Sequence, residues 1–200
     1  MEEFATEINA PAPEASDVTE SDGRAGWYQL AYDILETVLL ATVLFLVINA
    51  LTARVRVEGS SMLPTLQDGN FVLVNRLSYS LGKPERGDII VFHFELTRQD
   101  LIKRVIGLPG DEVRIANGAV FVNGVALAEP YIATAPSYNG TWVVPANNFF
   151  VLGDNRNDSS DSHSWGTLPA EKVVGKAVLV YWPFEHWSLL DHVDLIKASQ

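Results

Sequence analysis

A serine hydroxyl and a lysine amine are the two side chains of this sequence whose surroundings best suit covalent chemistry. Ser61 lies in the stretch Gly59-Ser60-Ser61-Met62-Leu63-Pro64-Thr65-Leu66. Gly59 allows close approach of the backbone, and Pro64 stiffens the chain that follows. A serine hydroxyl attacks a carbonyl carbon only when a neighbouring base removes its proton. We therefore expect Ser61 to be a nucleophile if a base lies beside it, and an ordinary loop serine otherwise.

Lys103 is the candidate for that base. It lies in Leu101-Ile102-Lys103-Arg104-Val105-Ile106, a run with the composition of a strand. Strand alternation sends Lys103 and Arg104 to opposite faces, so one of the two must face the buried side. A buried lysine loses hydration, and its pKa falls well below the usual value of about 10.4. It can then act as a neutral base, whereas a surface lysine would keep its charge in water.

A third stretch is polar throughout and directly follows the apolar residues 149–152. It reads Gly153-Asp154-Asn155-Arg156-Asn157-Asp158-Ser159-Ser160-Asp161-Ser162-His163-Ser164-Trp165-Gly166. Asp, Asn and Ser side chains bond to nearby backbone groups, so this composition predicts a hydrogen-bonded loop that fixes local geometry. By itself it also suits a surface loop or a weak calcium loop, but no glutamate closes it at the twelfth position.

Composition excludes several other functions. The formal net charge of −11 argues against a nucleic-acid partner, which would require a basic surface. The sequence has no cysteine, so disulfides and thiolate metal sites are excluded. Its four histidines, at positions 93, 163, 186 and 192, lack the HExxH spacing of a zinc site. We expect neither a metal nor a cofactor.

The elements that precede these stretches indicate a membrane anchor. Residues 1–26 are acidic and poor in bulky apolar residues, and we predict a disordered tail. Residues 27–51 are strongly apolar and would form a helix about 37 Å long, enough to cross a hydrocarbon layer of about 30 Å. The alternative is a buried amphipathic helix, since Asp33 and Glu36 interrupt the run. Arg54 and Arg56 follow the span, and positive charges alone would place the C-terminal domain in the cytoplasm.

Residues 52–200 predict a mainly β domain. Short runs rich in Val, Ile, Phe and Tyr alternate with turn signals, and Asn117-Gly118 is typical of a tight hairpin. The economical solution is a coiled, antiparallel, barrel-like sheet, because closure or coiling hides sheet edges. The predicted strands are 55–57, 71–74, 88–94, 101–106, 112–115, 119–122, 149–152 and 177–181.

Taken together and in this order, the three stretches resemble the type I signal peptidases. The matching patterns are Ser-Met-x-Pro-Thr, Lys-Arg-x-x-Gly-x-Pro-Gly-Asp and Gly-Asp-Asn-Arg-x-x-Ser-x-Asp-Ser-x-x-Trp-Gly, all after a predicted span. The likeness extends to about Pro183. It implies a single-pass protease of the bacterial cytoplasmic membrane that cleaves signal peptides, with its catalytic domain on the outer face. The resemblance thereby places the acidic tail 1–26 in the cytoplasm, which is opposite to the orientation that the charge count favours.

The resemblance also implies roles for individual residues. Ser61 would be the nucleophile and Lys103 the general base, a variant of the serine–histidine–carboxylate scheme. Ser159 would orient the lysine amine, and the Ser61 backbone N–H would bind the oxyanion. The residues implied to hold the scaffold are Asp154, Arg156 and Asp161.

Two positions depart from the family pattern. In some members a serine two residues before the nucleophile donates a second hydrogen bond to the oxyanion, and Gly59 occupies that place here. We expect its backbone or a water to substitute. His163 stands where an arginine usually pairs with Asp161, so we expect this pair to weaken at high pH.

The implied partners are preproteins and the phospholipid membrane. The substrate would lie extended against shallow apolar pockets that select small side chains, as in an Ala-x-Ala site. The residues implied to line these pockets are Val57, Met62, Leu101 and Ile102. Trp142, Trp182 and Trp187 would face either the lipid surface or the core. We expect a monomer.

Three rival hypotheses remain open at this point. A self-cleaving repressor-type peptidase uses the same serine–lysine pair but has no membrane span. A membrane-anchored β-domain that only binds peptides would cleave nothing. A triad of Ser61 or Ser160 with His163 and Asp161 would make the lysine dispensable, although most of these residues crowd within one loop.

Overall fold

The chain is described here from a computed structural model that covers residues 22–95, 98–190 and 192–195. Helix α1 (Asp22–Leu51) begins five residues before the predicted start at residue 27. Most of the predicted tail, up to residue 21, lies outside the described residues.

Helix α1 is long and apolar enough to cross a membrane from Gly26 to Leu51, by length and composition alone. Its side chains are exposed along this window. A core helix of a soluble protein would be mostly buried, so the alternative of a buried amphipathic helix is not supported. The chain divides into two compact units, residues 1–46 and 47–200, and the second contains every strand that the structure describes.

Short strands and turns make up the second unit, as the spacing of apolar runs predicts. The strands are β1 (Thr52–Arg56), β2 (Phe71–Asn75), β3 (Ile89–Phe94), β4 (Gln99–Gly107), β5 (Glu112–Ala116), β6 (Ala119–Val122), β7 (Val125–Ala126), β8 (Gly140–Val143), β9 (Asn148–Leu152), β10 (Leu168–Pro169), β11 (Val173–Trp182) and β12 (Ser188–Leu189). Two helical turns are α2 (Ser78–Leu81) and α3 (Ser162–Trp165), and 3-10 turns occur at Ala170–Lys172 and Phe184–His186.

These strands form two antiparallel sheets. The larger sheet has the order β1-β2-β11-β3-β4-β9-β10, with β12 paired to β11, and the smaller has the order β7-β6-β5-β8. The prediction of a mainly β, antiparallel domain is confirmed. The path of the larger sheet has two ends, β1 and β10, so among the described residues it is open rather than closed into a ring.

The hairpin between β5 and β6 has the predicted turn. Asn117 and Gly118 both have positive φ, 53° and 77°, as a primed turn requires, and Ala116 pairs with Ala119 across it. The strand at 140–143 was not predicted, because Gly140-Thr141-Trp142-Val143 is short and begins with glycine.

The burial of β4 corrects one prediction. Alternation predicts that one of Lys103 and Arg104 faces the core, but both are buried, with 3% and 1% of their surfaces exposed. Residues 102–107 are all buried, so this part of β4 is covered on both faces. A strand that is buried on both faces loses its alternation. Two adjacent cations therefore require partners within the core.

Candidate active site

The two residues predicted to carry the chemistry are in contact. The Nζ atom of Lys103 donates a hydrogen bond to the Oγ atom of Ser61 at 2.7 Å, and a second to the carbonyl of Ile102 at 3.0 Å. The two residues are 42 positions apart in the chain, so the fold and not the local sequence brings them together. A base within this distance of a hydroxyl can take its proton directly.

Burial makes the Lys103 amine a base at near-neutral pH. Loss of hydration lowers the pKa of Lys103 from 10.5 to about 8, while the carboxylates of Asp161 and Asp154 act in the opposite direction. About a tenth of the amine is then neutral at pH 7, compared with less than about a thousandth for an ordinary lysine. The site therefore holds a usable fraction of free base.

The polar loop 153–166 holds the serine in place. The backbone N–H of Asn155 donates to the Ser61 carbonyl at 3.0 Å, and its side-chain amide donates to the Ser60 carbonyl at 3.1 Å. The hydroxyl of Ser60 donates to Asp158 at 2.6 Å. On the other side of the serine, Met62 accepts a bond from the N–H of Leu66, and both side chains are buried in the core. Both flanks of Ser61 are thus anchored.

Gly153 packs closely against Ser61 and Ser159, a contact that was not predicted from the sequence. A Cβ atom at this position would lie 2.3 Å from the Ser159 hydroxyl and 2.4 Å from the Ser61 carbonyl oxygen. Only a glycine allows this approach. The Ser159 hydroxyl is buried and has no hydrogen-bond partner among the described residues, so its predicted bond to the lysine amine is not formed in this structure.

Asp154 joins strand β4 and the turn segment that follows Ser61 to the loop 153–166. It accepts two hydrogen bonds from the Arg104 guanidinium, at 2.8 and 2.7 Å, and one from the Thr65 hydroxyl at 2.5 Å. Arg104 also donates to the carbonyl of Gly87 and lies 3.9 Å over the ring of Tyr131. The buried charge next to Lys103 therefore has full compensation, as a buried cation requires.

Arg156 forms a second buried ion pair. Its guanidinium donates to both carboxylate oxygens of Glu129, at 2.8 and 2.7 Å, and to the carbonyl of Gly153 at 3.1 Å. The Tyr131 hydroxyl bonds both partners. Glu129, Tyr131 and Arg104 were not predicted as part of the scaffold, because their partners in the loop 153–166 lie 25 or more positions away and leave no local pattern.

Asp161 holds the start of the loop and pairs with His163. Its carboxylate accepts the backbone N–H of Gly153 at 2.9 Å and the Nδ1 side of the His163 ring at 2.6 Å. The His163 ring stacks on Tyr138 with centroids 4.1 Å apart. Among the described residues Ser61 is bonded by Lys103 and not by this histidine, so the triad hypothesis has no support in the hydrogen bonding.

Gly59 offers no evident second donor to an oxyanion. Its backbone N–H donates to Asp68 at 2.8 Å, and its φ of 85° is a conformation that favours glycine. The expectation that the Gly59 backbone substitutes for a serine donor is therefore not supported.

A cleft of about 450 Å³ opens at Ser61 and Lys103. Of the predicted substrate contacts, Val57, Leu101 and Ile102 line it, whereas Met62 is only 1% exposed and belongs to the core. The other lining residues are Arg54, Val55, Arg56, Glu58, Gln99 and Asp100. A larger cavity of about 800 Å³ shares none of these residues.

Two strand edges border this cleft. Strand β1 ends the path of the larger sheet and is paired only to β2. Residues 99–103 of β4 pair with β3 on one side, while β9 joins the other side only from Arg104 onward. An extended peptide can add to such edges through its main chain, with its side chains in pockets.

One group of potential metal ligands lies elsewhere among the described residues. Glu85, Asp88 and His192 bring three ligand atoms within 4.8 Å of one another. The ammonium of Lys176 already pairs with the Asp88 carboxylate at 2.6 Å, and the hydroxyl of Tyr79 donates a hydrogen bond to the same carboxylate. This carboxylate is neutralised by the protein itself, which disfavours a cation.

A serine hydroxyl bonded to a buried amine, at the floor of a cleft between two strand edges, is the arrangement expected of a serine-type peptidase. Residues 31–182 match the family model described as signal peptidase, peptidase S26. The chain therefore belongs to the signal peptidase family and is a peptidase.

Two relatives in sequence agree with this assignment. The chain is 42% identical over 185 residues to a probable signal peptidase I-2 of Synechocystis sp., and the aligned region covers 88% of this chain and 83% of that protein. It is 40% identical over 190 residues to a signal peptidase I of Leptolyngbya laminosa, which covers 90% and 94%. A crystal structure of a signal peptidase I from Enterococcus faecalis is 35% identical and covers 47% of this chain and 96% of that one, with a TM-score of 0.45.

Proposed function

We propose that the protein is a membrane-anchored signal peptidase in which Lys103 activates Ser61. The observation that carries this proposal is the 2.7 Å hydrogen bond between a buried lysine amine and a serine hydroxyl. The relatives named signal peptidase I support signal peptides as the substrate. The apolar helix α1 supports the anchor.

In the proposed mechanism the neutral Lys103 amine takes the Ser61 proton as Oγ attacks the scissile carbonyl carbon. The resulting oxyanion is stabilised by the Ser61 backbone N–H. The Lys103 ammonium then returns its proton to the leaving amine, and an ester between Ser61 and the signal peptide remains. Lys103 next deprotonates a water molecule, which hydrolyses the ester and frees Ser61.

The cleft accounts for a preference for small side chains in the substrate. Val57 and Ile102 line the cleft and are almost fully buried, and we propose that the pocket they form beside Ser61 is shallow. A shallow apolar pocket admits alanine and excludes larger residues by overlap. Main-chain pairing with the edges of β1 and β4 would hold the peptide extended.

An exposed apolar surface supports contact with lipid. It consists of Trp182, Phe184, Trp187 and Leu189, whose exposed fractions range from 48% to 71%. Aromatic rings of this kind suit a membrane–water interface. Trp142 differs, since it packs against Phe150 at 5.0 Å and belongs to the core side of the smaller sheet. We further propose that the domain is monomeric and lies on the outer face of a bacterial cytoplasmic membrane.

Cleavage of a preprotein by the purified full chain in detergent tests the proposal. Lys103→Ala and Ser61→Ala should each reduce the rate by at least about 10³-fold while circular dichroism remains unchanged. Lys172→Ala is the matched control, because it removes a lysine that pairs with exposed Glu95 away from the cleft. Undiminished cleavage by Lys103→Ala would contradict the proposed base. Absence of cleavage by the unmodified chain would favour the rival hypothesis of a membrane-anchored β-domain that only binds peptides.

A further inference from the structure

The largest cavity among those described lies on another part of the domain than the cleft. It has a volume of about 800 Å³. Its wall is apolar over most of its extent, and the residues that form that wall include Leu108, Phe149, Val173 and Val174. The chemistry proposed for Ser61 uses none of these side chains.

Two cations stand at this cavity without partners. Arg76 and Lys83 line it, both are exposed, and neither takes part in an ion pair or a side-chain hydrogen bond among the described residues. The lining contains no carboxylate. In a chain with a net charge of −11, a cavity lined by two cations and no acid has the charge that suits an anionic group.

The backbone places this cavity next to the C-terminal end of helix α1. The N–H of Arg76 donates to the carbonyl of Leu51, the last residue of α1, at 3.0 Å, and Thr52 pairs with Asn75. A hydrogen bond of this kind puts the two α-carbons within about 6 Å of each other. The headgroup layer is about 5–8 Å thick on each side of the hydrocarbon. If the apolar span ends at Leu51, Arg76 therefore stands at the level of the phospholipid phosphates.

We propose that this cavity binds one anionic phospholipid, with its phosphate at Arg76 and Lys83 and the first part of an acyl chain along the apolar wall. Arginine and lysine near a membrane surface are the groups that attract anionic headgroups. The inference rests on the membrane anchor of the proposed function but not on the roles of Ser61 and Lys103. A bound phosphate would also explain why Arg76 has no ion-pair partner among the described residues.

Thermal unfolding of the full chain tests this binding without any cleavage. The protein carries Ser61→Ala and is held in a neutral detergent. Three probes are compared. Dioctanoyl phosphatidylglycerol has an anionic headgroup and acyl chains, dioctanoyl phosphatidylcholine has the same chains with a neutral headgroup, and glycerol 1-phosphate is an anionic headgroup without chains. A ligand that binds only the folded state raises Tm, by about 5 °C at a hundred times its Kd. We expect this rise with phosphatidylglycerol and less than a third of it with the other two.

Two double variants locate the site. Arg76→Gln with Lys83→Gln should abolish the rise, whereas Arg98→Gln with Arg114→Gln, which removes the same charge from residues outside the cavity, should preserve it. Ala170→Phe fills part of the wall without changing charge and should also abolish the rise. If the first pair fails to fold, this variant alone decides the question.

Three outcomes would overturn the proposal. A rise that survives in both cavity variants places the lipid elsewhere, and an equal rise with glycerol 1-phosphate reduces the site to one for free anions. No rise with any probe removes the site altogether. Because none of these outcomes depends on catalysis, they are distinguishable from a failure of the Ser61 and Lys103 proposal.

Discussion

Lys103 carries an energetic cost that depends on pH. Its pKa is about 8 in the folded protein and 10.5 in the unfolded chain. Below pH 8 the amine is charged in both states, so the full cost of burying that charge is present. Between the two values the unfolded chain holds a proton that the folded protein has released, and stability therefore rises with pH. Above pH 10.5 the cost has vanished.

Lys103→Met should remove this dependence. At pH 7 the variant should be the more stable of the two proteins, because it buries no charge. This difference in the free energy of unfolding should shrink by about 3 kcal/mol between pH 7 and 10.5, since one pKa unit corresponds to about 1.4 kcal/mol. Urea unfolding followed by tryptophan fluorescence at several pH values measures the difference, and Lys172→Met serves as the control. A difference that is constant with pH would mean that Lys103 titrates as an ordinary lysine.

His163 should be replaceable by arginine. A guanidinium can bond Asp161 as the imidazole does, so His163→Arg should retain cleavage within about threefold. His163→Ala removes one hydrogen bond to a buried carboxylate, which corresponds to about 1.5–3 kcal/mol and a loss of about tenfold or more. Rates of preprotein cleavage provide the comparison. A loss with His163→Arg as large as that of Lys103→Ala would revive the triad.

At the scale of elements, the loop 153–166 and the Ser61 loop act as one unit because they touch at Gly153. Gly153→Ala would push a Cβ atom against the backbone of Ser61, and the attached hydroxyl would move relative to Lys103. We expect the cleavage rate to fall by about 10²-fold, since displacements of about 1 Å have effects of this size.

Gly110→Ala is the control for this substitution. Gly110 has a φ of 90° but a Cβ atom there would meet nothing within 4 Å. The variant should be less stable by about 1 kcal/mol and yet cleave at a normal rate. Unchanged cleavage by Gly153→Ala would show that the contact between the two loops does not set the geometry of the serine.

The parts of the fold that were predicted depend on local patterns. Apolar runs between turn signals located β2, β3, β5, β6 and β9 to within a residue or two, and Asn117-Gly118 identified a hairpin. Three motifs in order pointed to Ser61 and Lys103, and the fold brings these two side chains into contact. The ion pairs of the scaffold were missed because their partners are far apart in the sequence. Arg104 bonds Asp154 across 50 positions and Arg156 bonds Glu129 across 27, so no short window of sequence contains both partners.

At the scale of the whole molecule, the Arg156–Glu129 pair ties loop 153–166 to the segment that follows the smaller sheet's β7. Both side chains are buried, with 0% and 6% of their surfaces exposed. Arg156→Met should destabilise the protein by about 3–5 kcal/mol, because it leaves the Glu129 carboxylate buried without a partner. Denaturant unfolding measures this change.

The double variant Arg156→Met with Glu129→Leu provides the control for that loss. It removes both charges, so much of the lost stability should return. If the double variant is as unstable as Arg156→Met, the unpaired carboxylate is not the cause, and lost packing around Tyr131 would explain the result instead.

The titration of Lys103 tests the central claim most directly. In the full chain with ¹³C-labelled lysine, the resonance assigned to Lys103 by its disappearance in Lys103→Met should titrate with a midpoint near pH 8, and kcat/KM for preprotein cleavage should rise with the same midpoint. A resonance that titrates near pH 10.5, or a rate that rises with no relation to it, would contradict a buried neutral amine as the base that activates Ser61.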